Sequence, residues 1–279
     1  MQGIRTICRR LVGRQQTNEP TEQERLAALP KAECDTSALW VCTESWLAEC
    51  FRDERIAADW AEDSRRLAAL GIPEMTGGVN PGDRRALYYL VRRTKPRSIL
   101  EIGTHIGSST AALAVAAARN RAGGVATYII TVDIRDVNDP ERRPWVERRS
   151  PASPRSLVEA IGCGEFVRFE VNPSIDALMR PDRSFGLIFL DGDHDADMVY
   201  KEIPRALRRL EPPGVVVLHD YHPGERSLWP GQEPIVGPSL AVGRLTAEGA
   251  ALCASPLGDL PWPTKLGTHT TSLAVLSRA

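Results

Sequence analysis

No apolar run in the 279 residues approaches the length of a membrane span, the six cysteines form no Cys-x-x-Cys pair or zinc-type spacing, and neither sign of charge dominates. These absences exclude a helical membrane span, a zinc module and a thioredoxin-like redox pair. The 35 basic residues are offset by 36 acidic ones, and although 31 of the 35 are arginine they are scattered, so no electrostatic footprint for nucleic acid is present. The N-terminus lacks a secretory apolar region, so a reducing cytoplasm is the expectation. Cys34, Cys42 and Cys50 recur every eight residues, the near-helical spacing of small buried side chains. With 42% hydrophobic and 25% charged residues, the chain is ordinary for a globular protein and long enough for one large or two small domains.

What is present is organised around residues 98–110, Ser-Ile-Leu-Glu-Ile-Gly-Thr-His-Ile-Gly-Ser-Ser-Thr. Ile99, Leu100 and Ile102 suit a buried parallel strand, and Gly103 and Gly107 let the backbone turn tightly into a helix. That helix is Ala-rich and apolar on every face over 111–118, which places it beneath a sheet. The glycine turn lacks the third glycine that a pyrophosphate binder would use, which argues against a nucleotide-dependent oxidoreductase. Further strands are expected near 127–134, 166–171, 185–190 and 215–218, with helices between most of them and two more strands at 250–255 and 271–276. The predicted fold is α/β: a Rossmann-like, doubly wound, mostly parallel seven-stranded sheet with a final antiparallel strand, preceded by N-terminal helices. Residues 1–75 form an arm and a helical preface, the first 30 as a mobile arm or loosely docked helix, and residues 76–279 form the main domain. Two Pro-rich insertions, 135–156 with Trp145 and 222–238 with Trp229, are expected to act as binding walls or lids.

The chemistry-bearing residues fall where strands end. Asp133 closes the second strand, where a carboxylate suits the paired hydroxyls of a ribose. Phe-Leu-Asp-Gly-Asp-His closes the fourth with Asp191, Asp193 and His194, more ionisable groups than capping the next helix requires. Val-Leu-His-Asp closes the fifth with His219 and Asp220. If neighbouring strands end together, Asp191 and Asp220 converge, and a divalent cation is the usual relief for two facing carboxylates.

The order Glu101-x-Gly-x-x-x-Gly-x-Ser109, Asp133, Asp191-Gly-Asp-His194 and His219-Asp220 resembles class I S-adenosylmethionine-dependent methyltransferases, and within them the metal-dependent O-methyltransferases of the catechol and macrolide-sugar type. The resemblance covers the chain from about residue 76 onward. It implies that Glu101, Gly103, Thr104, Gly107, Ser109, Asp133 and Asp191 bind S-adenosylmethionine, and that Asp191 and Asp220 bind a divalent cation, magnesium first and manganese second, with His219 as the candidate third ligand. It implies His194 as general base, with Asp193 as the alternative. Tyr221 stands where catechol-type members carry Asn, and His219 where sugar-type members carry a carboxylate, which leaves the third ligand and the metal open. The implied activity is methyl transfer to a hydroxyl of a small molecule, a sugar or a glycosylated or phenolic natural product, by a homo-oligomer. The alternatives are a nucleotide-cofactor oxidoreductase on the same sheet type and a non-catalytic donor-binding protein.

Overall fold

The computed structural model describes residues 20–74 and 78–279. The arm residues Arg5, Arg9, Arg10 and Arg14 and the expected domain boundary at 75/76 lie outside the described residues. The elements run α1 (Glu22–Ala27), α2 (Glu44–Phe51), α3 (Glu54–Ala69), α4 (Pro81–Thr94), β1 (Ser98–Ile102), α5 (Ser108–Ala122), β2 (Tyr128–Asp133), α6 (Pro144–Glu147), α7 (Pro154–Ala160) and β3 (Val167–Val171). They continue with α8 (Ser174–Leu178), β4 (Phe185–Leu190), α9 (Ala196–Arg208), β5 (Leu210–Leu218), α10 (Gly237–Ala247), β6 (Leu252–Pro256) and β7 (Ala274–Arg278).

The seven strands form one sheet in the order β3-β2-β1-β4-β5-β7-β6, and only β7 runs antiparallel to its neighbours. The direction of winding reverses between β1 and β4, which opens a crevice at their carboxyl ends. Register then sets the site. Ile102 pairs with both Val132 and Leu190, and Leu190 pairs with Leu218, so the strand ends of β2, β1, β4 and β5 lie level. The residues that follow, Asp133, Gly103, Asp191 and His219, emerge along a single edge.

Helices cover both faces, so the central strands are apolar on both sides. Ile99, Leu187, Phe189, Val215 and Val217 join the core under α4 and α5, whereas Leu100, Ile102, Ile188 and Val216 face α9 and α10. Residues 111–117 of α5 are fully buried, as an all-apolar helix requires. Each fully buried Leu, Ile or Phe in these layers contributes roughly 1.5–3 kcal/mol. Helices α2 and α3 pack on the first of these layers through Leu47, Cys50, Phe51, Ile56 and Leu67. A buried carboxylate ties them down: Asp63 accepts hydrogen bonds from Tyr88 Oη (2.8 Å) and Arg119 Nε (2.9 Å), joining α3 to α4 and α5.

Residues 20–30 pack against the α9 and α10 layer as a docked helix. Thr21 and Glu24 form a capping box on α1, and Leu26 is buried against the α9 and α10 layer. The Arg244 guanidinium of α10 donates to the carbonyls of Leu26 and Leu29 and lies 4.3 Å over the Tyr200 ring, while Tyr200 Oη accepts the Ala32 amide at 2.8 Å.

Candidate active site

A cavity of about 740 Å³ opens at the crevice between β1 and β4. Its floor is the β1–α5 turn, with Gly103, Thr104, His105, Ser108 and Ser109; Asp133 and Asn172 bound one side and the 191–195 segment the other. Gly103 is in the left-handed region (φ 96°), and a Cβ there would overlap the Asp191 carbonyl oxygen and lie 2.6 Å from its carbon, so only glycine lets the two strand ends come this close. At the end of β2, Asp133 Oδ2 accepts the His105 amide (2.9 Å) and Oδ1 the Arg135 amide (3.0 Å). Each oxygen keeps a second lone pair, the arrangement needed to accept from two vicinal hydroxyls.

Beside this cavity, four ionisable side chains meet. His219 Nδ1 lies 2.9 Å from Asp191 Oδ1 and 3.4 Å from Asp220 Oδ1, and His194 Nε2 lies 3.5 Å from Asp220 Oδ2 and 3.9 Å from Asp191 Oδ1. Burial alone would push the His219 imidazole down, but the flanking carboxylates hold it well above its ordinary value of 6.5. Asp220 is shifted the other way: burial would raise it, and His219 and His194 pull it far below the usual carboxylate range. The Ser272 hydroxyl donates to Asp220 Oδ1 at 3.1 Å. Despite its close oxygens, the buried Nδ1 of His219 makes no aligned hydrogen bond. Asp191, His194 and His219 bring one donor atom each within 4.8 Å of one another, a set whose chemistry fits a divalent cation and in which His194 stands where Asp220 was expected.

The predicted residues divide into groups. Gly103, Thr104, Ser109, Asp133, Asp191, Asp193 and His194 line the cavity, and His219 and Asp220 lie behind Asp191 and His194. Glu101 and Gly107 are not among the lining residues. Glu101 is fully buried on the α5 face of β1, where it accepts the Thr110 hydroxyl (2.6 Å) and leaves Oε1 without a partner. Burial pushes it up to about 7 against the pull of the Ser109, Thr110 and Thr131 hydroxyls. Gly107 (φ 76°) caps α5 from the left-handed region, and a Cβ there would lie 2.8 Å from Pro154 Cβ. Asp193 is exposed and accepts the Asp195 amide at 3.0 Å, the turn-stabilising role that the carboxylate of a loop commonly takes.

Neither expected tryptophan wall is present. Trp229 is buried against His222 and donates to Thr268 Oγ1 (3.1 Å), and neither it nor Trp145 lines the cavity. Of the second insertion only Pro234, Ile235, Val236 and Gly237 reach the cavity, and none of 135–156 does. The sequence reading also missed Asp83, fully buried in the first turn of α4, which accepts from Asn80 Nδ2 (2.6 Å) and Thr271 Oγ1 (2.5 Å) and stands 3.6 Å from His219 Nε2. It missed Glu22 too, which reaches the cavity from α1. An acid in the first turn of a helix is so ordinary that neither position carries a signal of its own.

Residues 100–221 match the family model described as a methyltransferase domain. The matched stretch runs from within β1 to just past β5, and the seven-stranded sheet with its antiparallel β7 is the fold that the resemblance implied. A putative O-methyltransferase from Klebsiella pneumoniae is 19% identical over 86% of this chain and 97% of its own, with a TM-score of 0.52. An O-methyltransferase from Bacillus cereus in complex with SAH is 19% identical over 86% of this chain and 98% of its own, with a TM-score of 0.51. The O-methyltransferase TomG from Streptomyces achromogenes, involved in tomaymycin synthesis and in complex with SAM, is 19% identical over 93% of this chain and all of its own, also at 0.51. At these identities the likeness is one of fold. Comparison with curated proteins found no match. Among the described residues, no helix is long and apolar enough to cross a membrane.

Proposed function

We propose that this methyltransferase moves the methyl group of S-adenosylmethionine to a hydroxyl of a small molecule, with a divalent cation held by Asp191, His219 and Asp220, which leaves His194, a member of the donor set that lies within 4.8 Å, free to act as base. The observation that carries the reading is the meeting of two carboxylates and two imidazoles at the edge of the cavity that Asp133 bounds. The likeness in fold to the Klebsiella, Bacillus and Streptomyces O-methyltransferases supports oxygen as the acceptor atom.

Bound S-adenosylmethionine supplies an electrophilic methyl, and a bound cation lowers the cost of the acceptor's oxyanion. The residues of the chain do the rest. Asp133 accepts from the donor's ribose hydroxyls with the lone pairs that the His105 and Arg135 amides leave free. The turn at Gly103 and Thr104 forms the floor beneath the donor. His194, on the cavity wall and 3.5 Å from Asp220, takes the acceptor's proton at Nε2, and Asp220 stabilises the imidazolium that results. Holding donor and acceptor in line supplies several kcal/mol more. Met198, Pro234, Ile235 and Val236 give the mouth an apolar wall, which supports an acceptor with an apolar body such as a glycosylated or phenolic natural product. The mixed oxygen and nitrogen donors suit manganese, iron or zinc as well as magnesium.

Titration calorimetry with S-adenosylmethionine, with and without each cation, followed by transfer assays on hydroxylated acceptors tests the reading. His194→Ala is expected to cut turnover by about 10²- to 10⁴-fold with donor affinity unchanged, and Asp191→Ala to abolish cation binding. Near-normal turnover in the His194 variant would pass the base role to Asp193.

A further inference from the structure

The loop that carries His194 is held from outside the methyltransferase domain. Asp195 occupies the N-cap position of α9 but makes no side-chain cap hydrogen bond. Its carboxylate is engaged instead by Arg25 of α1 at 2.8 Å, and Arg25 also lies 3.6 Å from Asp197. The vacant capping role is filled from the same helix: Glu22 Oε1 accepts the amide of Ala196, the first residue of α9, at 2.7 Å. A carboxylate at this end also favours the α9 dipole. A third element closes on the same point. At Gly237, the first residue of α10, an added Cβ would overlap the carbonyl oxygen of His194, lie 2.5 Å from Glu22 Oε1 and 2.7 Å from the Ala196 nitrogen. The backbone of His194, the start of α9, the start of α10 and the Glu22 carboxylate thus meet with no room for a methyl group.

We propose that Glu22 is a positioning residue for His194: by capping α9 in place of Asp195, it fixes the 192–196 backbone from which the imidazole reaches Asp220. The inference rests on the base role given to His194 above. It assigns to the N-terminal segment a part in turnover, since α1 is where its geometry and the reacting edge connect. Docking of α1 through Leu26 and Arg244 does not depend on Glu22, so the carboxylate can be altered with the helix left in place.

The test compares the full chain with its Glu22→Ala and Glu22→Gln variants by amide hydrogen exchange, donor calorimetry and transfer kinetics. In Glu22→Ala the amide of Ala196 and its neighbours should exchange about tenfold faster or more, the consequence of losing a hydrogen bond to a charged acceptor. Turnover should fall by a larger factor than donor affinity does. Glu22→Gln retains an accepting oxygen and should restore most of both. Exchange in Glu22→Ala equal to the parent, turnover equal to the parent, or a Gln variant as fast in exchange as the Ala variant overturns the proposal. A parent chain that binds no S-adenosylmethionine overturns the functional reading instead, and the exchange comparison still decides whether Glu22 holds the loop.

Discussion

Replacing Glu101 by glutamine separates two roles for this residue, a donor ligand or a buried acid beneath the floor. The side chain has no solvent exposure, one of its oxygens has no partner, and burial raises it from an ordinary 4.5 to about 7. A carboxyl raised in the folded state contributes stability below its unfolded value and loses it as pH rises through the folded one, here between about 4.5 and 7. At 1.36 kcal/mol per pH unit of displacement, the parent should lose about 3 kcal/mol across that window on account of Glu101. Glutamine keeps the shape and the acceptor for Thr110 but has no charge to bury. Urea denaturation of both chains at pH 5, 6, 7 and 8, in chelator, isolates the difference, because Glu202, also raised to about 7 by burial, is common to both. The stability of Glu101→Gln relative to the parent should rise by about 3 kcal/mol from pH 5 to 8, with donor affinity retained. Parallel pH profiles, or a variant that folds yet no longer binds S-adenosylmethionine, would refute the reasoning and return Glu101 to the donor site.

Two further substitutions probe the same floor. Asp133→Ala removes the acceptor of the His105 amide and, on the proposed function, that of the ribose hydroxyls, and donor affinity measured by calorimetry should fall about 10- to 100-fold; unchanged affinity would place the ribose elsewhere. Gly103→Ala forces a Cβ onto the Asp191 carbonyl at a φ of 96°, so a loss of about 3 kcal/mol or more, or failure to fold, is expected in denaturation. A variant as stable as the parent would mean that the β1 and β4 ends are not pinned together.

Much of this architecture is legible in the sequence because the central strands are short apolar runs that break on ionisable residues. The runs at 98–102 and 185–190 coincide with β1 and β4. The fifth strand is longer than the apolar run at 215–218, since Leu210 pairs with Phe185 beyond an irregularity that takes in Pro212 and Pro213, residues no strand rule would select. At the site, strand ends locate Asp133, Asp191 and His219 because parallel register levels them. The same alternation places Glu101, two residues from Ile99, on that residue's face, where it meets Thr110 of α5. Asp83, Glu22 and Gly237 reach the site through tertiary docking alone, from 108, 169 and 46 positions away from Asp191, and none is marked by local pattern.

The placement of β7 between β5 and β6 bears on how the protein is made. Synthesis delivers six strands before this one, so until residues 271–278 leave the ribosome the sheet has a gap, with β5 an open edge on one side and β6 unattached on the other. The same late stretch supplies Ser272, which donates to Asp220 and whose carbonyl accepts the Tyr221 amide, and Thr271, which donates to Asp83. The nascent chain therefore leaves Asp220 and Asp83 without these donors until that last stretch is made.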